Sequence, residues 1–268
     1  MTNLFIRKLE LRASLSEADR HALEQATAKV MQVEANRDLI AQADAPEHAF
    51  VILEGFACRY KLLPDGGRSI VAYLIPGDGC DLHASILPRM VHSIGTLTPC
   101  LVARIPYQTI KELAAYHPNI YKALWWSVLV DEAILLEWLV GVGRRPADKQ
   151  VAHFLCEMMV RLQAVGLVAE NSYRLPITQS ELADTAGLSH VHVNRVLQDL
   201  RKERLIEQKR RGLLILDIER LKTFAGFVAD YLHLNTGGGH QGFYEPLTDV
   251  AKLQLKARQG EQDQTGSA

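Results

Sequence analysis

Between Ser189 and Lys202 the chain carries His190, Val191, His192, Asn194, Arg195, Gln198 and Lys202. Arginine, lysine, asparagine and glutamine are the side chains that reach guanine and adenine edges in the major groove, and backbone phosphates beside it. At 100° per residue Val191, Arg195, Gln198 and Lys202 fall on one side of a helix, with His190, His192 and Asn194 at its flanks. Val193, Val196, Leu197 and Leu200 recur at i, i+3, i+4 and i+7 and must face a core. A polar face of this kind changes no covalent bond; it recognises. An ordinary solvated face carries both signs of charge, whereas from His190 to Gly212 seven Lys+Arg stand against three Asp+Glu in a chain of net charge −1. That local excess suits a polyanion, because releasing condensed counterions drives binding.

The elements that must hold this face are legible around it. Thr178 and Glu181 in "TQSE" have capping-box spacing and predict a first helix running to about Ala186, with Leu182, Ala183 and Ala186 inward. Gly187 sits where a left-handed residue ends a helix. Leu188 is placed to plug the corner, and Ser189 to cap the second helix and stand among the candidate DNA contacts. Helix, glycine-containing turn and helix make a helix-turn-helix. Thr178 and Gln179 open its first helix and join the candidate DNA contacts. "LIEQKRRGLLIL" predicts a hairpin whose tip presents Lys209, Arg210 and Arg211 to phosphates, so the unit is winged.

Upstream, "HAFVILEGFACRYKLL" and "RSIVAYLIPGDG" read as strands joined by the hairpin signal "PDGG", and "IGTLTPCLVARIP" supplies one or two more. Short strands at this spacing predict an antiparallel roll. Ser16 to Met31 reads as a helix capped by Ser16, with Leu23, Ala26 and Val30 on one face. After it, Leu124, Val128, Asp131, Leu135, Trp138 and Val142 alternate steps of four and three, the spacing of a two-helix seam. A second apolar row, Leu129, Ala133, Leu136 and Val140, lies beside it. Gly141, Gly143 and Pro146 mark its end or a hinge. A further helix runs from Asp148 to Val165, and the tail after Gly226 is polar and partly disordered.

The fold class expected is α+β: an N-terminal jelly-roll-like β-roll over 1–117, a dimerisation helix and hinge over 118–146, a winged helix-turn-helix over 147–225 and an extension over 226–268. No run of apolar residues is long enough for a membrane span, and no uninterrupted signal-peptide core opens the chain, so the expected location is cytoplasmic. Cys58, Cys80, Cys100 and Cys156 form no C-x-x-C pair and read as buried thiols rather than a disulfide framework or cluster site.

A roll, a long helix and a C-terminal winged helix-turn-helix, in that order, resemble the Crp/Fnr family of bacterial transcription regulators. The resemblance spans roughly Leu15 to Phe224 and rests on "ITQSELADTAGLSHVHVNRVLQDLRKERLIE", "VILEGFACRYKLLPDGGRSIVAYLIPGD" and the helix between them. It implies a homodimer on a two-fold symmetric double-stranded operator, RNA polymerase as a further partner, and a small-molecule effector of unknown identity held near Asp81, His83, Arg89 and His92.

Departures narrow that effector. The cyclic-nucleotide members carry a glutamate for the ribose and an arginine for the phosphate in the loop after "PGD". Here no glutamate occurs between Gly77 and Leu97, and Arg89 is the only arginine, so cAMP is not expected and no cofactor is implied. No cysteine precedes Cys58 to hold an oxygen-sensing cluster. Val191 stands where many members place a glutamate, which removes an acceptor for cytosine. Two rival classes remain. A metal-dependent roll enzyme needs converging histidines, for which the roll offers only "CDLH" (Cys80, Asp81, His83) and no H-x-H. A ligand-independent protein-interaction module would lack the steep salt dependence of DNA binding.

Overall fold

The computed structural model describes residues 3–82, 88–168, 172–173, 175–209 and 212–234. Helices α1 (Leu4–Glu10) and α2 (Glu17–Ala26) precede strands β1 (Val30–Val33), β2 (Asp38–Ile40), β3 (His48–Glu54), β4 (Ala57–Leu62), β5 (Arg68–Leu74), β6 (Gly79–Cys80), β7 (Ser93–Thr96) and β8 (Cys100–Pro106). These pair antiparallel into two sheets, ordered β1-β8-β3-β6 and β2-β7-β4-β5.

The stretch "HAFVILEGFACRYKLL" is two strands in different sheets, and Gly55 makes the crossing. Its φ is +87°, and a Cβ there would lie 2.4 Å from the Pro99 carbonyl oxygen, so no larger residue fits without displacing backbone. The hairpin predicted from "PDGG" joins β4 to β5, with Leu63 N–H donating to Gly67 C=O at 2.8 Å. Ser16 caps α2 in a full capping box with Asp19. That helix stops at Ala26, short of Met31: the Thr27 hydroxyl donates to the Leu23 carbonyl at 2.8 Å, and Val30 opens β1 opposite Ala103. Helix α1 was not expected from the sequence.

After α3 (Tyr107–Tyr116), helix α4 (Pro118–Arg144) runs 27 residues with Pro118 in its first turn. Gly141 and Gly143 lie within it. The break comes at Arg145, whose φ of −84° and ψ of 140° are the extended backbone that a following proline, Pro146, imposes. Then come α5 (Ala147–Ala164), β9 (Ser172–Tyr173), α6 (Gln179–Ala186), α7 (His190–Lys202), β10 (Ile206–Lys209), β11 (Gly212–Ile215) and α8 (Ile218–Ala225). The last three strands form a small sheet ordered β10-β11-β9, in which Lys209 faces Gly212.

Two hydrophobic clusters hold these parts. The first fills the roll and takes in Phe5 and Leu9 of α1, Val51, Ile52, Ile94, Val102 and Ile105 of the strands, and Ile120 and Leu124 of α4. The second joins α5 to α8 with Tyr73 and Ile75 of the roll and Val130 and Ile134 of α4. It is therefore shared between roll, long helix and helix-turn-helix. Phe227 and Leu232 are buried in it as well, so the first residues of the predicted extension belong to the body of the protein. A short 3-10 turn, Asp230–Leu232, carries Leu232, and a single turn shows no periodicity for a sequence reading to find. The rest of that extension, 235–268, lies outside the described residues.

Candidate nucleic-acid interface and sensor cleft

Helix α6 begins as its sequence requires. The Thr178 hydroxyl accepts from Glu181 N–H at 3.1 Å, and the Glu181 carboxylate accepts from Thr178 N–H at 2.6 Å. Gly187 closes it at φ +66°, and the Ser189 hydroxyl accepts from His192 N–H at 3.3 Å to start α7. Both hydroxyls are engaged in capping, so Thr178 and Ser189 position the unit. Burial of Val193, Val196, Leu197 and Leu200 fixes the rotation of α7. The opposite side, His190, Val191, Arg195, Gln198 and Lys202, is left exposed, and Val191 is 81% accessible. His192 and Asn194 are half-buried at the flanks.

Three amides run across this surface in one chain of hydrogen bonds. Gln198 Nε2 donates to Asn194 Oδ1 at 2.8 Å, and Asn194 Nδ2 donates to Gln179 Oε1 at 3.0 Å. Lys202 Nζ lies 3.0 Å from Asp199 in an exposed pair, which solvent weakens. Lys209 ends β10 by its backbone; Arg210 and Arg211 lie outside the described residues.

The unit is anchored to the roll. Arg68 Nε donates to Asp184 at 2.8 Å, and the Tyr73 hydroxyl lies 2.8 Å from Thr185 Oγ1, both partners on α6. Below them a buried polar hub centres on α5. Arg161 donates to Asp78 at 2.9 Å, to the Tyr73 carbonyl at 2.8 Å and to Glu157 at 3.2 Å. Glu157 also accepts from Trp138 Nε1 at 2.9 Å and from the Tyr231 hydroxyl at 3.0 Å, while Asp78 pairs with Lys8. Burial pushes the Glu157 carboxyl up, against the pull of Arg161, Trp138 and Tyr231. Burial also dominates Arg161, but Asp78 and Glu157 more than offset it and hold the guanidinium firmly protonated.

Between roll and α4 lies a cleft of about 270 Å³, lined among others by Arg59, Tyr73, Asp81, His92 and Asp131. Of the predicted effector set, the structure brings Asp81 and His92 together, with His92 Nε2 2.8 Å from Asp81. Arg89 is not with them: it is exposed and donates to the Ala43 carbonyl at 3.0 Å. His83 lies outside the described residues. Sequence reasoning missed Arg59, whose side chain is 11% exposed, 3.3 Å from Asp81 and 2.9 Å from Asp131. Burial would lower the Arg59 pKa, but Asp131 and Asp81 raise it. The signal for it was Asp131 itself, an acid in an apolar row that calls for a buried cation. Both arginines that line the cleft, Arg59 and Arg161, are thus already paired with carboxylates.

Asp131 therefore leaves the predicted seam, and so do two other members. Leu124 is only 9% accessible inside the roll's core, and Trp138 turns to Glu157. The face that α4 leaves open carries Trp125, Val128, Leu135, Leu139 and Val142, with Leu129, Leu136 and Val140 alongside; Leu139 is 68% accessible. Val128, Leu135 and Val142 were expected on it. The reason for the offset is that α4 has two apolar faces, and periodicity does not say which one its own chain takes.

Among the described residues no cluster of three or more His, Cys, Asp or Glu is arranged to hold a metal ion, the four cysteines are buried and unpaired, and no helix is long and apolar enough to cross a membrane.

A roll whose cleft abuts a long helix, continued into a winged helix-turn-helix with an open polar reading face, defines a DNA-binding regulator rather than an enzyme. Residues 30–117 match the cyclic nucleotide-binding domain and residues 149–224 the Crp-like helix-turn-helix domain. The chain belongs to the Crp/Fnr family of transcription regulators. It is 29% identical to the nitrogen fixation regulation protein FixK of Bradyrhizobium diazoefficiens, over 70% of this chain and 78% of that protein. With the transcriptional activatory protein AadR of Rhodopseudomonas palustris it shares 28% identity over 84% of this chain and 92% of the other. The solved structure of FixK2 from Bradyrhizobium japonicum has the same fold, with a TM-score of 0.67 at 22% identity, covering 73% of this chain and 96% of that one.

Proposed function

We propose that two copies of this chain associate through the open face of α4 and set their two α7 helices in successive major grooves of a two-fold symmetric operator, about 34 Å apart. The observation that carries the proposal is the row Trp125, Leu135, Leu139 and Val142, left in solvent beside the half-buried Val128 on a helix whose other face is fully used. An exposed apolar stripe of this length marks an association site, and its three-four spacing, broken by a charge only at Glu132, suits a parallel copy of itself. On each half-site Arg195 reads a guanine and Val191 packs against a thymine methyl. His190 and His192 flank that contact. Lys202 and the wing residues Lys209, Arg210 and Arg211 take phosphates, which fix position without reading sequence.

An effector, where one acts, enters the cleft at Asp81 and His92 and must compete with the carboxylates around Arg59. Because Asp131 of α4 is already joined to Arg59 of the roll, the protein binds its operator without cAMP. The AadR relative, a transcriptional activatory protein, supports a further contact with RNA polymerase, and a chromosomal operator puts the work in the cytoplasm. The test is sedimentation equilibrium and operator binding of the double variant Leu135→Glu, Leu139→Glu. The wild type is expected as a dimer and the variant as a folded monomer with sharply weaker binding. A variant that stays dimeric and binds normally removes α4 as the seam.

A further inference from the structure

We propose that the cleft between roll and α4 takes a small organic cation, an ammonium or guanidinium group on a short apolar body, which replaces Arg59 on Asp131. The inference rests on the effector reading above and names the chemical class of that effector.

The bridge between Arg59 and Asp131 stands in the cleft, and a ligand can contest it from either side. An anion would take Arg59 from its carboxylates; a cation takes Asp131 from Arg59. The charges left behind decide between them. With an anion on Arg59, Asp131 loses its partner. Beside it stands Glu132, an exposed carboxylate that also lines the cleft and has no ion pair among the described residues. Asp81, 3.3 Å from Arg59, would face the incoming anion too. Taking one member from a partly buried pair leaves an uncompensated charge, which is the costly case. Arg161 offers an anion no better foothold, since Asp78 holds it at 2.9 Å and Glu157 at 3.2 Å.

With a cation on Asp131 and Glu132, every charge keeps a partner. Arg59 retains Asp81, and Glu132 gains a counter-charge. Arg59 Nε is buried without a hydrogen-bond partner although Asp81 lies 3.3 Å away. A guanidinium released from Asp131 can turn to align that donor, which offsets part of the cost of release. The rest of the lining sets the body of the ligand. Val71, Ala72, Val128, Ile134 and Leu135 supply apolar walls in a space of about 270 Å³, and apolar walls with a few placed polar groups are the usual form of a small-molecule site. Asp131 belongs to α4 and Arg59 to β4, so the cation favours the state in which helix and strand are untied.

The experiment is isothermal titration of the full-length protein, free of DNA, at one fixed ionic strength. The probes are n-butylammonium, n-butylguanidinium, n-butanol, butyrate and cAMP. The two cations are expected to bind saturably, and the neutral and anionic probes not to bind. Asp131→Asn should weaken the cations by about 10- to 150-fold, the range for losing a hydrogen bond to a charged group. Glu132→Gln, an exposed change that leaves the fold alone, should weaken them by up to about 5-fold. Butyrate or cAMP binding in preference to both cations overturns the proposal. So does a cation affinity that neither substitution changes, or no saturable binding by either cation in the millimolar range. Selection of duplexes from a random pool, run alongside, keeps the readings separate. A protein that binds the cations but enriches no symmetric site sinks the operator reading alone, and one that enriches a site but binds no cation sinks this inference alone.

Discussion

Replacing Arg161 by methionine should destabilise the protein more than any surface change, and the size of the loss follows from what stays behind. Methionine keeps the volume and the helix propensity of the α5 position and removes three hydrogen bonds, to Asp78 at 2.9 Å, the Tyr73 carbonyl at 2.8 Å and Glu157 at 3.2 Å. Asp78 keeps Lys8. Glu157, which is 0% exposed, keeps only the neutral donors Trp138 and Tyr231. Removing one member of a buried charge network costs about 3–5 kcal/mol. The surviving Lys8 pair puts this case near the lower end, about 3 kcal/mol, against a typical total of about 5–15 kcal/mol.

Urea unfolding followed by tryptophan fluorescence measures it, and pH gives a second handle. Burial already raises the Glu157 carboxyl, and losing Arg161 raises it further. A carboxyl whose folded pKa lies above its unfolded value, about 4.3, costs stability above that unfolded value and ceases to cost as pH falls to it. The deficit of Arg161→Met should therefore be largest at neutral pH and shrink on acidification. Adding Glu157→Gln should restore most of it, since a neutral amide needs no counter-charge. A Met variant within about 0.5 kcal/mol of wild type at pH 7, the ordinary range for surface substitutions, refutes the reasoning, as does a Gln second substitution that recovers nothing.

Three further outcomes test neighbouring features. His153 is buried against Phe227 and Tyr231, and burial together with Arg145 lowers its pKa to about 4; stability should fall as pH drops from about 6.5 to about 4, by up to about 3 kcal/mol, and His153→Gln should flatten that slope in urea titrations. Ser189→Ala removes the α7 cap and should cost about 1 kcal/mol in the same assay, with a site selected from a random pool unchanged in sequence. Arg195→Ala should weaken operator binding by about 1–3 kcal/mol and blur one base position; equal weakening on every sequence would make Arg195 a phosphate contact.

The helix-turn-helix was legible because its signals are local. A capping box at Thr178 and Glu181, a glycine at 187 and a cap at Ser189 each satisfy backbone groups within a few residues, and the apolar row of α7 admits one rotation. Other features depend on partners far along the chain. Arg59 and Asp131 are 72 residues apart, and neither residue alone reveals that it will be neutralised. Arg89 looked like a ligand because it is the only arginine between Gly77 and Leu97, yet it donates to the Ala43 carbonyl on the surface. The seam was misphased for a related reason: α4 is apolar on two sides, and only the packed structure shows that Leu124, Val130, Ile134 and Trp138 serve their own chain. Phe227 and Tyr231 close the second core from beyond the apparent end of the domain, in a stretch too short and irregular to carry a period.

Strand β5 is where these long-range contacts converge, and this bears on how a signal would reach DNA. Tyr73 lines the cleft beside Arg59 and Asp81. Its hydroxyl meets Thr185 of α6 at 2.8 Å and its carbonyl accepts from Arg161 of α5 at 2.8 Å, while Arg68 at the other end of the strand holds Asp184. The cleft and the helix that orients α7 are therefore one strand apart, with no intervening layer to absorb movement. Shifting β5 by about 1 Å takes the Tyr73–Thr185 pair past ordinary hydrogen-bonding distance. A ligand in the cleft acts on α6 only if it moves β5, and the Arg59–Asp131 bridge, which ties the adjacent strand to α4, resists that movement. Only the binding energy left after separating Arg59 from Asp131 would be available to reorient the reading face.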